Sequence, residues 1–125
     1  MDGARAVFRG NHLQWYRAMD VIGSGTRAEL TGNFFEGMQL ALNVSKGASA
    51  KIRDNIITFS SGAHLNSALP LGKKWDECFG IEASGSRTTV SYSGNLFRST
   101  FDGHAVEENE GGSLQDEGGN IVRIR

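Results

Sequence analysis

The stretch that decides the fold is residues 28–35, AELTGNFF, together with its near-copy 22 residues later, AKIRDNII at residues 50–57. In both stretches an asparagine follows a turn-forming residue, and apolar residues stand five and three positions before it and two positions after it. This pattern recurs at Gly10-Asn11, Gly32-Asn33, Asp54-Asn55, Gly94-Asn95 and Gly119-Asn120. The successive asparagines are 22, 22, 40 and 25 residues apart. The unit is therefore 22 residues, with insertions in the third and fourth intervals.

Four further columns repeat in register with these asparagines. Three positions before stand Phe8, Leu30, Ile52 and Tyr92, five positions before stand Ala6, Ala28, Ala50 and Val90, and two positions after stand Leu13, Phe35, Ile57, Phe97 and Val122. Eight positions before stand Gly3, Gly25, Gly47 and Gly112, with Arg87 as the exception. Apolar residues at a spacing of two share one strand face, and stacked coils bury such faces on their equivalents. The sequence therefore predicts an all-β right-handed parallel β-helix of about four and a half coils.

The asparagine column has its own physical reason. Asparagine tolerates the left-handed backbone of a sharp bend, and its side-chain amide can bond the same amide one coil away, which forms a ladder. The alternative is that Gly-Asn marks the hairpin turns of an antiparallel sandwich. Hairpin turns, however, give no reason for the same columns to recur at 22 residues.

This pattern resembles the pectate-lyase-like superfamily of parallel β-helices over essentially the whole chain. A length of 125 residues predicts one domain over residues 1–125. The resemblance implies three parallel sheets and an asparagine ladder between the second and third strands of each coil. The first sheet would then comprise residues 18–22, 41–45, 80–84 and 105–109. The catalytic signatures of pectate lyases and polygalacturonases are not matched, so no catalytic residue can be transferred, and the fold itself does not specify an activity.

Composition narrows the classes of function. The 14 acidic and 13 basic residues are mixed along the chain and give a net charge of -1, so we expect neither a nucleic-acid partner nor an anionic membrane surface. No apolar run is long enough to span a bilayer. Cys78 is the single cysteine, so we expect no intrachain disulfide. The N-terminus carries no secretory signal, so we expect a cytoplasmic protein, or a secreted one if the N-terminus was processed.

The first sheet is the predicted place for chemistry. Its outward residues form an acidic column that consists of Asp20, Asn43, Glu82 and Glu107. Small residues flank this column at Ala18, Ala41, Gly80 and Ala105. Neighbouring strands lie roughly 4.8 Å apart, so Glu82 and Glu107 would repel each other and one pKa would rise, as an acid/base pair requires. Calcium is a candidate cofactor, since hard cations take several oxygen ligands. The alternative is a solvated acidic stripe.

Two further groups lie around this sheet. Residues 60–79 hold the 18 extra residues as a loop, in which Trp75 is predicted to stack on a sugar and Lys73 and Lys74 to meet its acidic groups. The alternative is that Trp75 folds back over the side of the coil. His104 is a candidate proton carrier for Glu82 and Glu107, or simply a polar residue on a turn.

The two ends of the β-helix suggest a second function. The first coil carries Ala6, Phe8, Leu13 and Trp15 with no coil beneath them, whereas the last coil is expected to place Gln115 and Glu117 in the core columns. Open strand edges invite pairing with another chain, so we expect a non-catalytic scaffold that self-associates through its N-terminal coil. A fragment of a longer β-helix would show the same features. The alternative function is binding or cleavage of an acidic polysaccharide over the first sheet.

Overall fold

The structure is a computed structural model, and it describes residues 4–15, 17–38, 40–60, 78–99 and 103–124. Fourteen strands are assigned over these ranges, and no helix. They are β1 Arg5–Arg9, β2 His12–Trp15, β3 Met19–Ile22, β4 Arg27–Thr31, β5 Phe34–Gly37, β6 Leu40–Ser45, β7 Ser49–Arg53, β8 Ile56–Phe59, β9 Phe79–Ser84, β10 Thr89–Ser93, β11 Leu96–Ser99, β12 His104–Asn109, β13 Ser113–Asp116 and β14 Ile121–Ile124. Within the described ranges, no helix has the length and hydropathy needed to cross a membrane.

Every third strand joins the same sheet, and every pairing is parallel, so the chain forms a β-solenoid of about four turns. Sheet 1 has the order β12-β9-β6-β3, sheet 2 has β1-β4-β7-β10-β13, and sheet 3 has β14-β11-β8-β5-β2. Each of the first four coils thus contributes one strand to each sheet, and the last coil adds β13 to sheet 2 and β14 to sheet 3. The predicted fold class is confirmed, and the strands of sheet 1 begin within one residue of their predicted positions.

The apolar columns of the sequence form the core. In sheet 3, Leu13 pairs with Phe35, Phe35 with Ile57, and Ile57 with Phe97. In sheet 2, Phe8 pairs with Leu30, Leu30 with Ile52, and Ile52 with Tyr92. The interior members of these columns are almost fully buried, as the alternation of buried and exposed residues along each strand requires. Cys78 is buried in the same core.

The asparagine ladder runs the length of the described solenoid. From the second coil onward, each asparagine uses its side-chain carbonyl to accept hydrogen bonds from both the backbone N–H and the side-chain amide of the asparagine one coil earlier. Asn33 donates to Asn55 at 2.8 and 3.1 Å, and Asn55 donates to Asn95 at 3.0 and 3.1 Å. The second amide hydrogen reaches a strand carbonyl, as from Asn55 to Leu30 at 2.9 Å. The three interior asparagines are 1–2% exposed and fully hydrogen-bonded.

The left-handed residue at this bend is not the asparagine but the residue before it. Positive φ angles occur at Gly10, Gly32, Asp54, Gly94 and Gly119. Asparagine is therefore required here for its amide, and the backbone freedom is supplied by the preceding glycine or, in one coil, by Asp54. A second left-handed column lies at Gly25, Gly47, Arg87 and Gly111, which are the turns before the sheet 2 strands.

The last coil departs from the predicted register. Val90 pairs with Leu114 and Tyr92 with Asp116, so Leu114 and Asp116 occupy the core columns, and the prediction for Gln115 and Glu117 is wrong by one position. The same shift puts Gly111, rather than Gly112, in the left-handed column. The cause is a longer turn before Asn120, where Gly118 and Gly119 both have positive φ. Counting backward from Asn120 includes this extra residue.

Candidate functional site

The structure aligns the predicted acidic column of sheet 1. Asp20 pairs with Asn43, Asn43 with Glu82, and Glu82 with Glu107. Because these residues are cross-strand partners, Glu82 and Glu107 stand one strand spacing apart, roughly 4.8 Å between backbones. The predicted register of this column is therefore confirmed, whereas its chemical role stays a prediction.

The column is not uniformly open or unpaired. Asn43 is only 7% exposed, Glu82 and Glu107 are half-buried, and Asp20 is exposed. Asp20 forms an ion pair with Arg17 at 3.4 Å, and the Asn109 amide donates a hydrogen bond to Glu82 at 3.0 Å. Two of the three carboxylates thus already have partners on the protein, which favours a structural polar column over an acid/base pair aimed at a substrate.

The small residues next to this column do not flank it on the outer surface. Ala41 is fully buried in the core, and Ala18 and Ala105 pack against it. A Cβ at Gly80 would stand 2.8 Å from the Phe97 ring and 2.7 Å from the Ala105 carbonyl oxygen. Small residues are therefore needed here because the backbone of sheet 1 passes close to the core side chains.

His104 lies at the start of β12, and its ring contacts Phe79 instead of Glu82 or Glu107. Its ring stacks on Phe79 with centroids 5.8 Å apart and planes 17° apart. No hydrogen bond joins His104 to Glu82 or Glu107 in the part of the chain that is described. Lys73, Lys74 and Trp75 fall outside the described residues, so their predicted contacts stay predictions.

A calcium site on the column would need several oxygen ligands around one point. Among the residues that the structure describes, no three histidine, cysteine, aspartate or glutamate side chains come close enough together to hold a metal ion. The carboxylates follow one another along the axis of the solenoid instead of converging.

A different surface, which the sequence did not indicate, forms a groove. It lies on the outer face of sheet 2, encloses about 530 Å³, and is lined by Arg5, Arg27, Ala28, Glu29, Ser49, Ala50, Lys51, Thr89, Val90, Ser91, Ser113 and Gln115. Its members come from all five strands of the sheet. The signal available in the sequence was the set of outward positions directly before and after each core residue, and its mixed composition gave no pattern to recognise.

The two ends of the solenoid differ in chemistry. At the N-terminal end, β1, β2 and β3 are edge strands whose inward residues include Phe8, Leu13 and Met19, all partly buried. At the C-terminal end, the core columns finish with exposed apolar Val122 but also with exposed Glu108 and Asp116. The carboxylates make the last coil partly polar, as is typical of a terminal repeat.

The comparisons with known proteins give no family. No protein-family model matches this chain, and the searches of curated proteins and of solved structures find no significant match either. The fold and the geometry of the described residues therefore carry the functional inference.

Proposed function

We propose that this protein is a non-catalytic assembly module whose N-terminal coil docks on the N-terminal coil of a second copy. The observation that supports it is the incomplete burial of the first coil. Phe8 and Leu13 are half-buried, whereas their equivalents one coil later, Leu30 and Phe35, are 0% exposed. The residues are apolar in both coils, and only the second coil has a neighbour on each side.

The charge of the inward residues favours the N-terminal end over the C-terminal end. The described inward residues of the first coil are apolar, whereas docking on the last coil would bury the charges of Glu108 and Asp116, which accept hydrogen bonds within that coil but form no ion pair with a described residue. Burying an unpaired charge costs several kcal/mol, as an order of magnitude. The edge strands β1, β2 and β3 can hydrogen-bond to another chain, and the edge strands β12, β13 and β14 share this property, so the buried charge decides between the two ends. A pairing of like ends closes as a two-fold dimer instead of growing into a filament.

The test is sedimentation of the wild-type chain and of two end variants across micromolar concentrations. We expect a concentration-dependent dimer for the wild type, loss of the dimer for Leu13→Glu, and no loss for the matched control Val122→Glu at the opposite end. Circular dichroism checks that each variant keeps its β structure. If Leu13→Glu disturbs folding, Val7→Lys on the exposed face of β1 blocks edge pairing without entering the core.

A stable wild-type monomer at these concentrations would contradict the proposal, and so would a dimer that is lost equally in Val122→Glu. Because the contact is apolar, the dimer should also persist at high salt, where association through surface charges weakens. A dimer that dissociates in salt would therefore point to a different surface.

A second candidate function is binding of an acidic polysaccharide over sheet 1, and one observation favours it: Glu82 and Glu107 are direct cross-strand neighbours in a partly exposed column. On this hypothesis the chain is a short relative of the pectate-lyase-like superfamily, an assignment supported by the coil length and the asparagine ladder. The test is binding and cleavage of polygalacturonate with and without calcium. No calcium-dependent signal, or a signal unchanged by Glu82→Gln with Glu107→Gln, would eliminate this function.

A further inference from the structure

The fold separates charges that are mixed along the sequence. The outward positions of the sheet 2 strands hold five cations, Arg5, Arg9, Arg27, Lys51 and Arg53, and one acid, Glu29. The outward positions of the sheet 1 strands hold three acids, Asp20, Glu82 and Glu107, and no cation. A net charge of -1 therefore conceals a cationic face, and the groove lies on that face.

The groove is lined by side chains of two lengths. Short hydroxyl side chains line it in the middle and later coils, at Ser49, Thr89, Ser91 and Ser113. Longer side chains line it at Arg5, Arg27, Glu29, Lys51 and Gln115. The resulting space of about 530 Å³ lies within the range of small-molecule sites, roughly 300–1,000 Å³.

The groove is charged at one end and neutral at the other. Its charged side chains all come from β1, β4 and β7, whereas β10 and β13 contribute only hydroxyl groups and the amide of Gln115 to its polar lining. From β4 to β13 there are three strand spacings, or roughly 14 Å. A ligand that matches this polarity carries its negative charge at one end and a neutral, hydroxyl-rich body over the rest.

Two cations at the charged end are available to a ligand. Arg5 is paired with Glu29 at 3.7 Å. Glu29 is also the direct cross-strand partner of Lys51, but neither Lys51 nor Arg27 forms an ion pair with any described residue. Arg27 lies on β4 and Lys51 on the neighbouring strand β7. The cross-strand partner of Arg27 is Ser49, and Lys51 is two residues after Ser49 in β7. A guanidinium, an ammonium and a hydroxyl on one face are a common combination for binding phosphate oxygens.

We propose that this groove binds a phosphorylated sugar, with the phosphate held by Arg27 and Lys51 and the sugar hydroxyls over Thr89, Ser91, Ser113 and Gln115. The proposal does not depend on the dimer, because the phosphate site lies on β4 and β7 and the docking face on β1, β2 and β3; Arg5 is the one groove residue on a docking strand.

Three other ligand classes fit the groove less well. A uniform polyanion would place charges over the neutral half. A single-stranded nucleic acid needs aromatic platforms for its bases, and the groove lining contains no aromatic residue. A peptide that adds to the sheet as a strand needs a free edge, whereas the inner strands β4, β7 and β10 are paired on both sides.

The experiment compares three probes by calorimetry on the full chain: trehalose 6-phosphate, trehalose and inorganic phosphate. We expect the phosphorylated disaccharide to bind more tightly than either of the other two, because only it occupies both halves. Arg27→Ser combined with Lys51→Ser should weaken its binding by about tenfold, the effect of losing two partly screened charge contacts. Serine and threonine already occupy equivalent positions in later coils, so the strands should tolerate both changes.

Two controls make the result specific. Arg98→Ser with Arg123→Ser removes the same charge from the outer face of sheet 3 and should change binding by less than about twofold if long-range charge effects are screened. Ser91→Leu alters only the neutral half, so it should weaken the phosphorylated disaccharide and leave inorganic phosphate unchanged. Either no binding of trehalose 6-phosphate at millimolar concentration or equal losses in the two double variants would overturn the proposal. Tighter binding of polygalacturonate or duplex DNA would overturn it too.

Discussion

The interior coils and the terminal coils contain the same kinds of residue in very different environments. In one column of sheet 3, Phe35, Ile57 and Phe97 are 0% exposed, whereas Val122 in the last coil is 53% exposed. The ladder shows the same contrast, since Asn55 is 1% exposed and Asn11 is exposed. In a solenoid, burial depends on having a coil on each side, and residue type alone does not decide it.

The largest expected effect of this contrast is in the ladder. Asn55→Ala would leave the Asn33 N–H and the Leu30 carbonyl without their partners inside the core, so we expect a loss of about 3–5 kcal/mol in the free energy of unfolding. Asn11→Ala at the exposed end should cost less than about 1 kcal/mol. Urea denaturation measures both. Equal losses would mean that the interior ladder is not the source of the difference.

The apolar column gives the next test. Phe97→Ala should lower the free energy of unfolding by about 3–5 kcal/mol, because it leaves a cavity between two coils. Val122→Ala should cost under about 1 kcal/mol, since its side chain is half in solvent and leaves no closed cavity. Thermal or urea unfolding of both variants decides this. A large loss in Val122→Ala would indicate that another coil or chain covers the last coil in solution.

A smaller effect on stability is expected at Tyr92, a core residue whose cross-strand partner in the last coil is Asp116. Burial, aided by the carboxylates of Asp116 and Glu108, raises the pKa of the Tyr92 phenol above its ordinary value of 10.0. The folded state therefore holds this proton more tightly than the unfolded state. Its contribution to stability is fully present below about pH 10 and is lost as the pH rises through the raised pKa. Unfolding measured from pH 8 to 11 should show a steeper alkaline decline for the wild type than for Tyr92→Phe; identical slopes would refute this.

The smallest effect is expected at Arg87. This residue has a φ of 66° in a column otherwise occupied by glycines, so its backbone is strained. Arg87→Gly should stabilise the fold by about 0.5 kcal/mol, because relief of the strain slightly exceeds the entropy that glycine adds to the unfolded chain. Gly47→Ala in the coil below should be destabilising, since the new Cβ would lie 3.3 Å from Ser24 in a left-handed residue. The urea midpoints of Arg87→Gly and Gly47→Ala show whether each change raises or lowers the free energy of unfolding. A lower free energy of unfolding for Arg87→Gly would show that the Arg87 side chain stabilises the turn.

Much of the fold was predictable because the repeat is periodic. Asn11, Asn33, Asn55 and Asn95 set the register of sheets 2 and 3 in four coils. The pattern of a small, an apolar and a polar residue in each segment of sheet 1 correctly aligned Asp20, Asn43, Glu82 and Glu107. Prediction failed at the last coil, where one extra turn residue before Asn120 shifted Leu114 and Asp116 into the core. Counting from a single residue cannot detect an insertion that lies between it and the strand.

The candidate sites were less predictable, for a physical reason. The groove gathers side chains from five strands that are separated in sequence by up to 110 residues, from Arg5 to Gln115. Its charge polarity arises because Arg27 and Lys51 face the same side as Ser91 and Ser113. Outward positions have no core to satisfy, so they carry no repeating pattern that the sequence alone could show.

By itself, the sequence determined that this chain is a parallel β-helix, because a stacked core and an asparagine ladder require the same residues at the same place in every coil. Only the tertiary structure decided which faces are cationic and acidic, where a groove lies, and which residues of the last coil occupy the core columns. These properties depend on side chains of different coils coming together at each strand spacing, and on whether another coil covers them.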